Sequence, residues 1–418
     1  MQTAAAMSMP GRVTAALVIV SLGGAACAPK FPGRGLELYV APTSYDFKRN
    51  PELLQRIEES PYGYFRFINE RFIRSICTRF EDDLADMPKV NLHGDGHMEQ
   101  YSITETGRGL SDFDDASVGP AVVDLVRAGV SIELIADEKG WPGEGAALVE
   151  EFLLGYRAAL ENPATEAPSP HLVDRIRARF SADRGPLLAW ADSLMDPEGL
   201  SPAAVQQLIG PFASAIFEKN PDLPLTYFDV KKAGRHRLGV GSALDEKYLL
   251  RVEGPTGAPE DDVLVEVKQI RDLSAIPCIE RLPRDPSPIL NAQSRIAYEP
   301  YRFTGFLHLG DSGAGNGGSR SPGGRSFWLH TWVDHYYEIS GDDLESIDDL
   351  RELVFDVGVQ LGRGHPKDIL PDDAELRRAE LESLNRYQGK IERTIDELLE
   401  ETVRAWEAFR SQTAALAH

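Results

Sequence analysis

Cysteine is scarce in this sequence, with three residues in 418, and this limits how the fold can be held together. Three cysteines cannot build a disulfide framework, and their spacing matches no zinc site. Cys77 and Cys278 both lie among apolar residues. Either two buried thiols or one disulfide bridge would fit, and the spacing does not decide between them.

Basic residues are outnumbered as well, because 44 Lys and Arg face 66 Asp and Glu and give a formal net charge of −22. Such a surface repels nucleic acid, so a nucleic acid partner is excluded for the surface as a whole. A bound cation or a basic partner fits the charge better. With 42% apolar residues the chain is globular, and 418 residues suffice for two domains or one large two-lobed domain.

Long hydrophobic runs are also absent, apart from residues 13–22. This run is short for a bilayer span, follows the single charge of Arg12 and ends in small residues. That pattern is typical of a signal peptide, which we predict over residues 1–26. Residues 27–44 contain Pro and Gly with few periodic apolar positions, which predicts a tether.

Cys27 directly follows Ala25 and Ala26, an arrangement that resembles a bacterial lipoprotein cleavage box. Gly24 departs from that pattern, since the box usually has Leu there. We therefore expect an exported protein, anchored in the cell envelope by a lipid on Cys27 and facing the periplasm or the cell surface. Plain secretion is the alternative, and no other contact with a membrane is expected.

Acidic residues and glycines are concentrated in residues 91–127, which contain H-G-D-G-H at 93–97 and D-F-D-D at 112–115. Glycines let a backbone approach a ligand closely, and carboxylates at this density require a counter-charge. A divalent cation that carries phosphate oxygens would supply it. The alternative is a solvated acidic loop, but the apolar residues between the motifs indicate a half-buried setting.

The hydrophobic pattern divides the rest of the chain into three parts. Residues 45–230 are mostly helical, with Asp124 and Arg127 three positions apart on one helix. Residues 231–345 alternate as β-strands around a Gly-containing turn, with the third strand ending near Lys268. Residues 346–418 are helical again. The fold class is therefore α+β.

Together these motifs supply what phosphoryl transfer requires, although each is weak alone. A Gly-rich turn covers phosphates, a Lys contacts phosphate oxygens, a base serves the acceptor hydroxyl and acids hold Mg²⁺. Kinases place the turn and the Lys first. Here Asp95 and Asp112 precede Gly239, Gly241 and Lys268.

At this point the sequence resembles a known group of enzymes. H-G-D-G-H-M-E-Q at 93–100 resembles the H-G-D-x-H-x-x-N loop of aminoglycoside phosphotransferases and related small-molecule kinases, and residues 111–120 resemble their metal-binding segment. More closely, five segments occur in the order found in the bacterial domain-of-unknown-function family numbered 2252. They lie at 60–66, 93–97, 112–114, 267–269 and 361–365, and the similarity extends over roughly residues 45–390.

The reversed motif order suggests a circularly permuted, two-lobed, protein-kinase-like fold. In aminoglycoside-type kinases a helix ending in L-x-x-x-H directly precedes the catalytic loop, whereas here Leu361 to His365 lies near the C-terminus. The catalytic lobe would be 45–230 and the antiparallel nucleotide lobe 231–345. The helices of 346–418 would pack on the catalytic lobe. A chain without a five-stranded sheet near 235–340 would contradict this hypothesis.

The resemblance implies roles for the residues of the first two motifs. Asp95 would be the catalytic base, with a structural turn cap as the alternative, and His97 and His93 would orient its loop. Asp112 would bind Mg²⁺, with Asp114 as a possible second ligand. Gln100 stands where these kinases have a metal-binding Asn, and its longer side chain puts that position in doubt.

It also implies a nucleotide site for ATP in the second half of the chain. Gly239, Gly241 and Ser242 would cover the nucleotide, and Lys268 would pair with its phosphates unless it is an ordinary surface Lys. Asp124 would brace the catalytic loop.

The glutamate that kinases pair with this Lys is either Glu280 or Glu299 by spacing. The function expected is ATP- and Mg²⁺-dependent transfer of phosphate to an unknown small-molecule or protein hydroxyl. The alternative is an exported lipoprotein with a repurposed kinase-like fold that binds a ligand or cation without catalysis.

Overall fold

A computed structural model describes residues 37–181, 183–197, 200–236, 239–240, 244–299, 301–309, 324–333 and 335–416. Residues 36–418 form one compact unit. The predicted signal peptide and Cys27 lie outside the described residues. The expected subdivision into two lobes and C-terminal helices stays a prediction.

The described part of the chain contains eleven α-helices. They are α1 (Pro51–Glu59), α2 (Pro61–Phe67), α3 (Asn69–Arg79), α4 (Val122–Glu138), α5 (Gly145–Glu161), α6 (His171–Arg177), α7 (Gly185–Leu194), α8 (Pro202–Lys219), α9 (Ser287–Arg295), α10 (Ile347–Gly364) and α11 (Asp373–Leu416).

Ten strands form three antiparallel sheets among the described residues. They are β1 (Lys89–Leu92), β2 (Tyr101–Ile103), β3 (Arg108–Leu110), β4 (Ser117–Pro120), β5 (Val230–Arg235), β6 (Lys247–Val252), β7 (Val263–Gln269), β8 (Thr304–Leu309), β9 (Arg325–Thr331) and β10 (Tyr337–Glu338). β1 pairs with β4, and β10, β2 and β3 form a second sheet in that order. The third sheet has the order β5-β6-β7-β9-β8. The predicted α+β class is confirmed.

Local sequence explains where several helices begin. The Ser60 side chain accepts a hydrogen bond from the Gly63 N–H, and Pro61 occupies the first turn, so α1 ends and α2 begins where the Ser-Pro pair stands. α10 begins with a capping box formed by Ser346 and Asp349.

The two faces of the five-stranded sheet have different surroundings, because successive side chains along a strand point to opposite faces. Val265 and Val267 of β7 pack in a hydrophobic cluster with Ile209 and Phe212 of α8. The opposite face of β7 therefore presents Lys268 away from α8, toward the loop that contains Asp112 and Asp114. A larger apolar core joins the helices before α7 to α10 and α11.

The predicted tether is wrong for residues 37–44. Leu38 is fully buried, its N–H donates to Glu401 Oε1 at 3.0 Å, and its carbonyl accepts from the Tyr64 hydroxyl at 2.9 Å. The apolar character of Leu38 and Val40 explains why this segment packs against α2 and α11. Residues 27–36 lie outside the described part.

Cys77 and Cys278 form a disulfide with a Cα–Cα distance of 5.5 Å, which selects one of the two alternatives left open by the sequence. The bridge joins α3 to the segment that follows β7. Glu280, two residues further on, exchanges backbone hydrogen bonds with Val118. The disulfide therefore anchors the connection between β7 and the strand that follows the D-F-D-D motif.

Candidate functional site

The loop that carries the first motif follows β1 and is fixed by Asp124 of α4. The carboxylate of Asp124 accepts the N–H groups of His93 at 2.6 Å and Gly94 at 2.8 Å, and it lies 3.2 Å from His365 Nε2. Burial opposes ionisation of Asp124, but the hydrogen bond and charge of His365 hold its pKa below the ordinary value. The predicted bracing role of Asp124 is confirmed.

Gly94 lets this loop approach the second motif. Its φ is +82°, and an added Cβ would lie 2.1 Å from the carbonyl oxygen of Asp115, so a side chain cannot be accommodated there. Asn69 of α3 joins the same two loops, because its amide donates to the Gly94 carbonyl at 2.9 Å and to Asp115 Oδ2 at 2.7 Å.

Asp95 forms an ion pair with Arg127 of α4, which is completely buried. Nε and Nη2 of Arg127 donate to Asp95 Oδ1 at 3.0 and 2.6 Å, and the guanidinium lies 3.6 Å from the centre of the Phe65 ring. Burial raises the pKa of Asp95, and Arg127 opposes that rise. The second oxygen, Oδ2, lies 3.9 Å from His97 Nε2.

Both histidines of the first motif are held in the loop. His93 Nε2 donates to the Ser111 carbonyl at 2.8 Å, and its Nδ1 accepts the N–H of Asp95 at 3.3 Å. His97 Nδ1 lies 3.1 Å from the Tyr62 hydroxyl. Burial, followed by the charges of nearby arginines, lowers the pKa of His97 well below its ordinary value, so this imidazole is neutral at pH 7.

Lys268 of β7 lies between two carboxylates of the second motif. Its Nζ is 2.6 Å from Asp112 Oδ1 and 2.8 Å from Asp114 Oδ2. Burial works against the charged amine, but the two aspartates hold the pKa of Lys268 well above its ordinary value. The ammonium lies 5.6 Å from the Trp328 ring centre, so it is enclosed between acids and an aromatic wall.

Asp112 and Asp114 both contact Lys268, but their pKa values shift in opposite directions. Burial disfavours the charge on Asp112, but Lys268 holds its pKa below the ordinary value, while burial and the Asp112 charge raise the pKa of Asp114 to about 7. Asp114 Oδ1 also accepts from Trp328 Nε1 at 2.8 Å. Asp112 has a φ of +58°, a backbone conformation that costs a non-glycine residue about 1–2 kcal/mol.

Two arginines that the sequence reasoning missed complete the charge balance of the second motif. Arg271 pairs with Asp115 Oδ1 at 3.0 Å and with Asp245 at 3.1 Å. Arg281 donates to the backbone carbonyls of Asp114 at 2.6 Å and Ala116 at 3.1 Å. Their closeness to Lys268 in sequence was the available signal, because the three acids of the second motif need several cations.

These groups surround one narrow cleft. It is lined by Arg66, Asp95, His97, Gln100, Asp112, Asp114, Asp115, Gly239, Val240 and Arg271. The structure therefore brings together six of the predicted site residues, and Lys268 contacts two of them. Gly241 and Ser242 lie outside the described residues. Within the described ranges, no group of three or more His, Cys, Asp or Glu residues is arranged to hold a metal ion.

The prediction that Glu280 or Glu299 pairs with Lys268 is wrong, because both glutamates have other partners. Glu280 pairs with Lys89, and Glu299 accepts hydrogen bonds from Thr104 and Thr106. The physical reason is that α9, the helix that follows β7, contains no acidic residue. The two aspartates of the second motif provide the negative charge for Lys268 instead.

No curated protein and no solved structure matches the chain. The family that does match spans α1 to the beginning of α7 and so includes both acidic motifs, but not Lys268. Residues 48–187 match the model of the family described as "Uncharacterized protein conserved in bacteria (DUF2252)", which confirms the predicted resemblance to that family.

Proposed function

We propose that the chain is a kinase-like phosphotransferase that moves a phosphate from Mg²⁺-ATP to a hydroxyl group of an acceptor. The observation that carries this proposal is the meeting of Asp95, Asp112, Asp114, Gly239 and Lys268 at one cleft. These residues come from three distant parts of the chain, and each type has a separate task in phosphoryl transfer. A solvated acidic loop would not bring them together.

The proposed fold is a circularly permuted kinase-like fold with the catalytic lobe first. Its nucleotide lobe would be the five-stranded sheet, in which Lys268 lies on the third strand in chain order and Gly239 follows the first strand, as kinases place these residues. The end of α10 lies beside β1, because Asn91 donates to the carbonyls of Gly364 and His365 at 3.0 and 3.1 Å. In a kinase-like fold of the usual order, the helix ending at His365 would lead directly into the catalytic loop. A circular permutation that cuts the chain between these two segments would leave them adjacent in space, as they are here.

The donor set of the cleft fits Mg²⁺. Asp112 and Asp114 supply hard carboxylate oxygens, and Gln100 lines the same cleft. Proteins bind Mg²⁺ through one or two carboxylates plus substrate phosphates rather than through a cage of protein ligands. The bound ion would neutralise charge on the phosphate oxygens.

The protein's own groups would prepare the acceptor and the phosphates. Asp95 Oδ2 is the oxygen that would accept the proton of the acceptor hydroxyl, because Arg127 occupies Oδ1 and fixes the carboxylate plane. Neutral His97 would stand beside that oxygen without competing for the proton. Lys268 and Arg271 would contribute positive charge where phosphate oxygens approach.

We also propose export and attachment of a lipid to Cys27, as the N-terminal pattern indicates. A disulfide is typical of proteins outside the reducing cytosol, and the Cys77–Cys278 bridge supports that location. No helix among the described residues is both long and apolar enough to cross a membrane.

A second candidate function is ligand or cation binding without phosphate transfer. The observation that favours it is the pairing of the proposed base with Arg127, since a buried guanidinium favours the ionised carboxylate and offsets part of the pKa rise that burial causes. In that case the cleft would bind Mg²⁺-ATP or another anion–cation pair, but no acceptor would be phosphorylated.

Thermal unfolding of the mature domain tests nucleotide binding. Mg²⁺-ATP at about one hundred times its Kd should raise Tm by a few degrees, because a ligand that binds only the folded state stabilises it by mass action. Asp112→Ala should abolish the rise, whereas Asp222→Ala, at an exposed loop position, should keep it. An unchanged Tm at millimolar Mg²⁺-ATP would contradict the proposal. A rise without phosphorylation of any hydroxyl in an acceptor screen would favour the second candidate.

A further inference from the structure

The S-P-Y-G-Y-F-R segment at 60–66 begins α2 and packs against the loop of the first acidic motif. Phe65 holds Arg127 in two ways. Its ring centre lies 3.6 Å from the guanidinium carbon, and its carbonyl oxygen accepts from Arg127 Nη1 at 3.1 Å. Tyr62 is the residue of this segment that reaches His97. The segment therefore supports the site, and the contact of Tyr62 is the one with chemical consequences.

The Tyr62 hydroxyl is the centre of a buried hydrogen-bond network. Tyr62 is 3% exposed, and its hydroxyl oxygen lies 3.1 Å from His97 Nδ1 and 3.1 Å from Ser131 Oγ. It also accepts the Glu99 N–H at 3.2 Å. Ser131 of α4 is completely buried, and its Oγ accepts the Met98 N–H at 2.8 Å. A backbone N–H can only donate, so the two hydroxyl protons serve the remaining contacts.

The number of donors and acceptors fixes the direction of these hydrogen bonds. Among the contacts of the described residues, the Tyr62 oxygen is the acceptor within reach of the Ser131 proton. Ser131 therefore donates to Tyr62, as does the Glu99 N–H, and Tyr62 gives its single proton to His97 Nδ1. A ring nitrogen that accepts carries no proton. The one proton of this neutral imidazole consequently lies on Nε2.

The Nε2–H group of His97 lies beside the carboxylate of Asp95. Its nitrogen is 3.9 Å from Asp95 Oδ2, and both residues line the cleft. An N–H at this position attracts the charge on Oδ2, whereas a bare lone pair would repel that oxygen and compete with it for a proton. Because Arg127 occupies Oδ1, each oxygen of Asp95 then has a proton-bearing group beside it.

We propose that Tyr62, oriented by Ser131, fixes His97 as a donor with its proton on Nε2 and so makes His97 a positioning residue for Asp95. Asp95 is then the single base of the cleft, because His97 has no lone pair to offer there. The role of Asp95 rests on the proposed function, whereas the tautomer of His97 follows from the hydrogen bonds alone.

The location of the proton is tested by nitrogen-15 NMR of the imidazole rings. Long-range proton–nitrogen correlation spectra distinguish the two neutral tautomers, and the signal lost in His97→Gln identifies His97 among the nine histidines. The wild type should carry the proton on Nε2. A proton on Nδ1 would overturn the proposal, because Tyr62 would then be the acceptor and Nε2 a free base at the cleft.

Tyr62→Phe and Tyr64→Phe form a matched pair of variants. Both tyrosines are buried on α2, but the Tyr64 hydroxyl bonds to the backbone of Leu38 and Val40 instead. Both variants should lower Tm, because each leaves buried polar groups unpaired. Tyr62→Phe alone should move the Nδ1 resonance of His97 toward that of a lone pair without a donor. An unchanged Nδ1 resonance in Tyr62→Phe would overturn the proposal.

Phosphate release from Mg²⁺-ATP, with water as the acceptor, tests the consequence for catalysis. Tyr62→Phe should lower kcat about tenfold, the value of one hydrogen bond, without changing KM for Mg²⁺-ATP. His97→Gln keeps an N–H donor but has no basic nitrogen, so it should retain more activity than His97→Leu. Equal losses in these two variants would overturn the positioning role. A wild type that releases no phosphate would contradict the proposed function instead, and the NMR spectra would still decide the tautomer.

Discussion

Lys268 neutralises the same two carboxylates that the sequence assigns to a metal ion. Its ammonium group lies within 2.8 Å of both Asp112 and Asp114, so the lysine and a cation cannot both occupy the position between them. In the absence of phosphates the lysine provides the counter-charge. We therefore expect Mg²⁺ to enter together with a nucleotide whose phosphates attract Lys268 away from the aspartates.

Replacing Lys268 should make the Tm of the protein sensitive to Mg²⁺ alone. Lys268→Met leaves the half-buried Asp112 and the buried Asp114 without their shared partner and should destabilise the fold by about 1–3 kcal/mol. Mg²⁺ alone should then raise the Tm of the variant by several degrees, whereas it should barely change that of the wild type. Mg²⁺-ATP should add little to the variant, since the phosphates have lost their lysine. Differential scanning fluorimetry at several Mg²⁺ concentrations measures all three effects.

Lys247→Met is the matched control for that experiment. Lys247 faces Lys268 across β6 and β7 and is also buried, whereas Lys268 is the residue that forms the ion pairs with Asp112 and Asp114. The control should lose stability without gaining sensitivity to Mg²⁺. Equal responses of the wild type and Lys268→Met to Mg²⁺ would show that the cation does not compete with the lysine.

At the scale of elements, the sequence predicted local structure well and tertiary partners poorly. The helix predicted to hold Asp124 and Arg127 is α4, the helical pattern after residue 346 includes α10, and the strand predicted to end near Lys268 is β7. The alternation predicted for residues 231–345 did not show which strands pair. β9 lies in the large sheet, whereas β10 pairs with β2, because alternation identifies a strand but not its partner.

The candidate site shows the same division between local and tertiary information. The residue types and spacing of the two acidic motifs identified Asp95, Asp112 and Asp124. The position of Arg127 on the helix left it free to contact Asp124 or the preceding loop, but its ion pair with Asp95 could not be assigned from the sequence, because it depends on how α4 packs against the loop. The glutamate candidates failed for a related reason, since spacing alone cannot show that Lys268 already has partners in another loop.

Removing the disulfide between α3 and the segment after β7 should reduce both the stability of the fold and the binding of nucleotide. The Cys77→Ala/Cys278→Ala variant should lower the free energy of unfolding by about 2–5 kcal/mol, because the closed loop is long. It should also reduce the Tm rise caused by Mg²⁺-ATP, since the bridge anchors the segment that positions Arg281 beneath the acidic motif. Urea unfolding, with and without ATP, gives both quantities.

A reductant provides the control for this prediction. Dithiothreitol should lower the stability of the wild type and of Cys27→Ser alike, but not that of the double variant. Unchanged stability in a sample whose free thiols have been titrated would show that the bridge contributes nothing.

At the scale of the whole molecule, the 44-residue helix α11 is connected to the loop of the first acidic motif by a buried polar chain. Glu380 accepts a hydrogen bond from the Tyr156 hydroxyl at 3.3 Å, and that hydroxyl lies 2.8 Å from His365 Nδ1. His365 in turn contacts Asp124, which holds the backbone of the first-motif loop. Burial raises the pKa of Glu380 to about 8, so this carboxyl group is mainly protonated at neutral pH.

Glu380 should therefore make global stability depend on pH. Because its pKa is raised from 4.5 to about 8 on folding, its contribution is fully present below pH 4.5 and is lost as pH rises through 8, by up to about 1.4 kcal/mol per pH unit. Glu380→Gln mimics the protonated acid, so its stability relative to the wild type should be greater at pH 8.5 than at pH 5.5. Glu382→Gln, an exposed position on the same helix, should show no such difference. Denaturant unfolding at both pH values measures the slope, and parallel slopes for the wild type and Glu380→Gln would show that Glu380 is ionised in the folded protein.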